Sequence, residues 1–151
     1  MPLVGLEKVF KAIDEKKENL NDKVHDIFVE GLGAIIEITP THFKDGGALK
    51  NSWFLTEGSP SDATRDANEE GAGSYASLAT MPKSVLNKTL YFTNNQPYVN
   101  IVEYGGFPNP PKQGTWTGEE YQKLSRGGFS EQAAEGMART NIDRMRKALN
   151  D

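Results

Sequence analysis

Asn-Asn-Gln-Pro-Tyr-Val-Asn-Ile-Val-Glu-Tyr-Gly-Gly, the stretch Asn94–Gly106, decides how this chain is organised. The pair Asn94-Asn95 closes a preceding strand with a turn, and Pro97 fixes one backbone dihedral. In Tyr98–Tyr104 the apolar residues recur at helical spacing, which predicts one or two turns of helix. We expect this helix to pack on a sheet through Ile101 and Val102 and to hold the start of the loop that follows.

A long amphipathic helix is predicted from Leu3 to about Ile38. Its apolar residues recur every three or four positions, and the pattern is broken only at Lys17 and Gly31. Thr39-Pro40 ends the helix, because proline disfavours helical geometry at the residue before it. A continuous helix of this length would reach roughly 50 Å, with a kink expected near Asn19–Asn21. Two alternatives stay open: part of it packs on a neighbouring molecule, or it bends to lie wholly on its own core.

Two strands and a second helix complete the predicted fold. The strands cover Leu49–Glu57 and Lys88–Asn94, and in the first of them Trp53 and Leu55 alternate with Phe54 and Thr56, which places Trp53 and Leu55 on one face. Ser74–Met81 forms a short helix or strand between the two strands. The final helix runs from about Glu131 to Leu149, with Ser130 as its N-cap. The fold class is therefore α+β: a small, mostly antiparallel sheet flanked by a long N-terminal helix and a C-terminal helix, with long Gly/Pro-rich loops. Residues 1–151 are expected to form a single domain.

Two loops interrupt these elements. Residues 58–73 have almost no apolar side chain that could offset the entropy of ordering them, so a mobile loop is expected there. Residues 105–128 form an extended aromatic loop that carries Phe107, Trp116 and Tyr121. Aromatic side chains on a loop usually dock onto a surface, which is here either the chain's own core or another subunit.

The composition excludes several classes of function. A formal net charge of -4 and a pI near 5.3 argue against a basic face that grips nucleic acid. The chain has no cysteine, which excludes disulfides, thiolate metal sites and a cysteine nucleophile. No apolar run approaches the roughly 20 residues that span a bilayer, and residues 1–12 carry charges where a signal peptide has an apolar core. We therefore expect a protein that is intracellular when made.

A catalytic site is not predicted. The only imidazoles belong to His25, which the helix pattern makes a structural residue, and His42, whose loop offers only Asp45 as a neighbouring ligand. The serines lack the flanking glycines of a nucleophile elbow. We expect a protein that is not an enzyme and that binds no cofactor or metal.

The order of these motifs resembles the tail-completion or tail-terminator (neck) proteins of long-tailed double-stranded DNA bacteriophages. The resemblance covers roughly residues 39–106, namely Thr39-Pro40, then Gly47-x-Leu-Lys-Asn-Ser-Trp53, then Asn94-Asn-x-Pro-Tyr-Val-x-x-Val-Glu-Tyr-Gly105. The chain departs from the family in a longer turn between Thr39 and Gly47. It also has Val99 where alanine is usual.

The resemblance implies a structural virion protein that completes or caps the head-proximal end of the tail tube and joins it to the head-neck connector. Its implied partners are copies of itself in a ring, expected to be a hexamer, the tail-tube protein and a head-completion or neck protein. DNA would pass through the lumen without specific binding, and no membrane would be involved. The implied location is the virion tail or neck, after assembly in the bacterial host cytoplasm.

Within such an assembly, a surface on one subunit meets a different surface on the next. One candidate surface is an exposed part of the first helix, and the other is the segment Tyr98–Tyr104 together with the aromatic loop. An alternative function is a soluble, non-enzymatic adaptor domain that binds one protein partner through the aromatic loop. The predicted interface residues are Tyr98, Glu103, Tyr104, Phe107, Trp116 and Tyr121.

Overall fold

The computed structural model describes residues 5–41, 46–104 and 136–151, together with Ala133 and four short segments at 115–116, 121–122, 125–126 and 129–130. The predicted α+β class is confirmed: a long N-terminal helix and a C-terminal helix flank a small antiparallel sheet. The helices are α1 (Leu6–Ile38), α2 (Ala48–Asn51), α3 (Ala72–Leu78), α4 (Val99–Tyr104) and α5 (Ala138–Asn150). The strands are β1 (Trp53–Glu57), β2 (Leu90–Asn94), β3 (Thr115–Trp116), β4 (Tyr121–Gln122), β5 (Ser125–Arg126) and β6 (Phe129–Ser130).

Helix α1 runs without interruption through the expected kink and ends where the sequence predicts. At its end the Thr39 N–H donates to the carbonyls of Ile35 and Ile36, and the Thr39 hydroxyl also donates to Ile35. Among the described residues, Asn21 is the first α1 residue whose side chain bonds outside the helix. Its amide donates to the Lys83 carbonyl and accepts from the Val85 N–H. Every residue of α1 before Asn21 is exposed. The alternative in which α1 lies wholly on its own core is therefore wrong.

The main core lies between the β1–β2 sheet, α1 and α3. Strands β1 and β2 are antiparallel, with Trp53 opposite Asn94 and Leu55 opposite Phe92. Trp53 and Leu55 point inward and are buried, as the alternation in the sequence predicts. The Trp53 ring stacks on Phe92 with centroids 5.0 Å apart, and its indole N–H donates to the Thr39 hydroxyl at 2.9 Å. This bond connects the end of α1 to the sheet.

The first predicted strand is too long at its start. Leu49 lies in α2, a single helical turn that follows Gly47, and the strand begins at Trp53. Gly47 has a φ of 86°, a left-handed conformation that strongly favours glycine. A Cβ at this position would also lie 2.5 Å from the Asn68 carbonyl oxygen. The backbone therefore reverses here at a position that only glycine fits.

The final helix begins later than predicted and lacks the expected N-cap. Ser130 pairs with Ser125 in the β5–β6 hairpin, and α5 starts at Ala138. Helix α5 packs on α1, and Gly31 is one position where the two helices approach closely. A Cβ at Gly31 would lie 2.3 Å from Cγ of Met145. The glycine that interrupts the apolar pattern of α1 therefore makes room for α5.

Residues 58–73, for which the sequence predicts a mobile loop, make polar contacts with α2, with β1 and with the residue that follows β2. Their mobility stays a prediction. Arg65 donates from Nη1 to the carbonyls of Asn51 and Trp53 at 2.9 and 2.8 Å. The Asn95 amide donates to two carbonyls of the segment at 2.8 and 2.9 Å. Each such hydrogen bond contributes roughly 1 kcal/mol to stability, in addition to any apolar burial.

Candidate protein interface

One half of α1 presents an apolar face to solvent. Leu6, Val9, Phe10, Ile13 and Leu20 are each 42–56% exposed, and we call these five residues the α1 stripe. At 3.6 residues per turn they lie along one side of the helix. The helix rises about 1.5 Å per residue, so the stripe extends over roughly 20 Å.

The same face of α1 is buried further along the helix. Val24, Phe28 and Leu32 pack against the main core, and Ile35 and Ile36 are fully buried. The apolar pattern therefore continues beyond the part of α1 that the subunit covers. A contiguous apolar face that remains exposed is typical of a surface that binds another protein.

A second feature is the junction between α4 and α5, which centres on the Glu103 carboxylate. Glu103 is 5% exposed. Its Oε2 accepts from the N–H groups of Met137 and Ala138 at 2.6 and 3.1 Å. Its Oε1 accepts from the backbone N–H and Nε of Arg139 at 3.1 and 3.0 Å. One carboxylate thus satisfies the free N–H groups at the start of α5, where the helix dipole also favours negative charge.

Two opposing effects act on the pKa of Glu103. Burial raises the pKa of this carboxyl, because a charge is less stable away from water. Hydrogen bonds from Met137, Arg139 and Ala138 to the ionised form outweigh burial, so the pKa lies below its ordinary value. Glu103 is therefore a charged group held inside the subunit at neutral pH.

Arg139 completes the junction from the other side. Its Nη2 donates to the Glu103 carbonyl at 2.9 Å, and its guanidinium carbon lies 4.3 Å from the centroid of the Tyr104 ring. A cation over an aromatic face is attracted by the ring electrons. Arg139 therefore binds both the last turn of α4 and the first turn of α5.

This junction brings together the two ends of the segment 105–136. The segment begins after Tyr104, the last residue of α4, and ends before Met137. Glu103, which also belongs to α4, accepts a hydrogen bond from Met137 and so joins the two ends. Val102 packs nearby with Leu49, Ala133 and Met137, in a cluster separate from the core under the β1–β2 sheet. Helix α4 is therefore confirmed as a short helix, but Val102 anchors it to this second cluster and not to the β1–β2 sheet.

The six predicted interface residues fall into three groups. Tyr104 is 50% exposed and Tyr98 is half-buried against the second cluster, whereas Glu103 is buried in the junction. Trp116 and Tyr121 are opposite each other in the β3–β4 hairpin, and their side chains lie outside the described part of the structure. Phe107 also lies outside the described residues. The aromatic loop thus contains at least two short hairpins that its sequence did not predict.

The sequence did not point to Arg139 or Met137 at the junction, nor to Asn21, which connects α1 to the 83–86 turn. Glu103 and Arg139 are 36 positions apart, and no local spacing rule relates residues at that distance. The signal available was indirect: a carboxylate in a largely apolar helical stretch needs a partner if it is buried.

Of the two imidazoles in the chain, only that of His25 belongs to a described residue. His25 is half-buried on α1 with Nδ1 3.3 Å from Asp26 Oδ1, and His42 lies outside the described residues. Within the described ranges, no group of three or more His, Cys, Asp or Glu side chains is placed to hold a metal ion. Among the helices described here, none is both long enough and apolar enough to cross a membrane.

Comparisons with known proteins give no match to a protein-family model, to a curated protein or to a solved structure. The function of the chain is therefore inferred from its own residues and geometry.

Proposed function

We propose that this chain is a structural, non-enzymatic subunit of a bacteriophage virion. It assembles with copies of itself into a ring that completes the head-proximal end of the tail tube and joins it to the neck. The observation that carries the proposal is the α1 stripe, an apolar face that continues from the core and that the described residues of the subunit leave exposed.

The stripe supports self-assembly because exposure of large side chains in a regular row is costly for an isolated subunit. Each Leu, Ile or Phe side chain that becomes fully buried contributes about 1.5–3 kcal/mol of transfer free energy. Five partly exposed side chains therefore supply several kilocalories per mole to an interface, before the entropy cost of association is subtracted.

The junction supports the second surface of the proposed interface. Glu103 and Arg139 join α4 to α5, so the residues that precede and follow the segment 105–136 are held next to each other. We propose that this segment meets the neighbouring subunit or the tube, with Tyr104, Trp116 and Tyr121 as contact residues.

Size-exclusion chromatography with light scattering, over a range of concentrations, tests the role of the stripe. The informative variant is Phe10→Asp/Ile13→Asp, which places two charges in the stripe. Its control is Ala12→Asp/Asn19→Asp, which adds the same charge at exposed positions of α1 outside the stripe. The first variant should lose assembly and the control should retain it, while both keep the helical circular-dichroism spectrum of the natural chain.

The same samples are then mixed with tail tubes of the same phage and sedimented. The natural chain and the control should sediment with the tubes. A chain that stays monomeric at every concentration and also stays in the supernatant would overturn the proposal. A one-to-one complex with a different protein, without a ring, would favour the adaptor function instead.

A further inference from the structure

Four residues of the α1 stripe, together with Lys17, have the spacing of a coiled-coil seam. Leu6, Phe10, Ile13, Lys17 and Leu20 follow one another at alternating intervals of four and three residues. This pattern averages 3.5 residues per turn and is the heptad repeat of helices that pack along one another. A helix, rather than a strand or a loop, is therefore the natural cover for the stripe.

The two edges of the stripe carry opposite charge. Glu7 and Asp14 lie along one edge, whereas Lys16 and Lys23 lie along the other, as the period of 3.6 residues dictates. All four side chains are exposed. None of them forms an ion pair with another residue in the part of the chain that the structure describes.

Opposite edges select the direction in which identical helices pack. When two copies of a helix run parallel and are related by rotation about a common axis, the left edge of one faces the right edge of the other. When two copies run antiparallel, each edge faces its own equivalent. Charges at these flanking positions set the partner and the orientation of coiled coils. An acidic edge and a basic edge on one helix therefore favour parallel copies and oppose antiparallel ones.

We propose that the α1 stripe is covered by α1 helices of neighbouring copies of this chain, packed parallel, with the acidic edge of each against the basic edge of the next. Each contact joins the acidic edge of one helix to the basic edge of the next. An open row of copies therefore always has one free acidic edge and one free basic edge, until these two meet and close the ring. Lys17 is the one polar residue in the seam, and a lysine there fixes register and the number of helices at some cost in stability. The inference rests on the proposed self-assembly and adds its surface and its direction.

Cross-linking between single cysteines tests the contact directly, because the natural chain has no cysteine. Asp14→Cys places a thiol on the acidic edge, and Lys16→Cys places one on the basic edge. With a short bismaleimide reagent, neither variant alone should form a covalent dimer, and an equal mixture of the two should. A chain with both substitutions should give a ladder of dimers, trimers and larger species.

The matched control is Lys11→Cys/Asp22→Cys. It removes one charge of each sign from exposed positions on the opposite side of α1, and it should give no ladder. Light scattering of each variant before cross-linking reports whether the chain still assembles.

The outcomes separate this inference from the proposed function. A covalent dimer from Asp14→Cys alone would show antiparallel pairing and overturn the inference. Assembly by light scattering without any Asp14–Lys16 cross-link would overturn the inference and leave the proposed assembly standing. Absence of both assembly and cross-links, at every concentration and in a folded chain, would overturn the inference and count against self-assembly as well.

Discussion

Replacement of Glu103 by glutamine tests whether the α4–α5 junction holds the two parts of the subunit together. The substitution keeps the size of the side chain and removes its charge. Glutamine retains one acceptor oxygen and carries an amide group in place of the other. Two of the four N–H groups that bind the carboxylate would then face a donor.

The expected cost follows from those contacts. Hydrogen bonds to a charged group contribute about 1.5–3 kcal/mol each, so loss of two of them lowers the free energy of unfolding by about 3–6 kcal/mol. This is a large part of the roughly 5–15 kcal/mol that stabilises a typical domain. For a chain of this size it corresponds to a melting temperature roughly 10 °C lower.

Urea denaturation followed by circular dichroism provides the measurement, and pH provides an independent check. The pKa of folded Glu103 lies below its ordinary value, so the charge stabilises the fold above about pH 4.3, the pKa of an unfolded glutamate. That contribution is lost as the pH falls through the folded-state pKa. The difference in stability between the natural chain and Glu103→Gln should therefore be full at pH 7 and shrink below pH 4.

Glu57→Gln is the matched control, because Glu57 is exposed and its one ion pair within the described residues is with Lys88 at 3.5 Å. It should cost about 0.5 kcal/mol at most. A loss below about 1 kcal/mol for Glu103→Gln, or a difference from the natural chain that does not change with pH, would refute the assignment of the junction to the charged carboxylate.

Three further substitutions follow from single contacts. Gly31→Ala places a Cβ against Met145 and should lower the free energy of unfolding by about 1–3 kcal/mol. Gly33→Ala is its control, because a Cβ there lies at an ordinary 3.6 Å from Leu78, and it should be neutral or stabilising by up to about 1 kcal/mol. The melting temperatures of the two variants provide the comparison. Arg65→Ala removes two hydrogen bonds and should speed amide exchange in residues 58–73 while exchange in α1 stays unchanged, and equal changes in both would contradict a local role. Trp116→Ala should weaken assembly in light scattering more than it lowers the melting temperature, and a large loss of stability with normal assembly would place Trp116 in the core.

The helices and the core strands could be predicted from sequence because their signals are local. The three- and four-residue spacing of apolar residues gave α1, and the alternation around Trp53 gave the inward face of β1. Both are periodic patterns within one element, and such patterns depend only on backbone geometry.

The start of α5 could not be predicted in the same way. Ser130 has the residue type of an N-cap, but the groups at the start of α5 bind Glu103 from another helix. A cap supplied from 34 positions away leaves no local signal. The polar contacts of residues 58–73 escaped prediction for a related reason, since Arg65 and Asn95 bind backbone carbonyls, which any sequence provides.

The candidate interface was predictable in part. The length of α1 left two possibilities open, packing of one part on a neighbouring molecule or a bend onto its own core, and the structure shows that the half before Asn21 is exposed. The role of Glu103 was not predictable, because burial of a carboxylate depends on partners that the fold brings together.

Electron microscopy of the purified protein, alone and with tail tubes of the same phage, tests the central claim most directly. The account predicts closed rings of this chain, seated at one end of each tube, and bare tube ends with Phe10→Asp/Ile13→Asp. Tubes with bare ends in the presence of excess natural protein, together with a monomeric chain in the same fields, would contradict it.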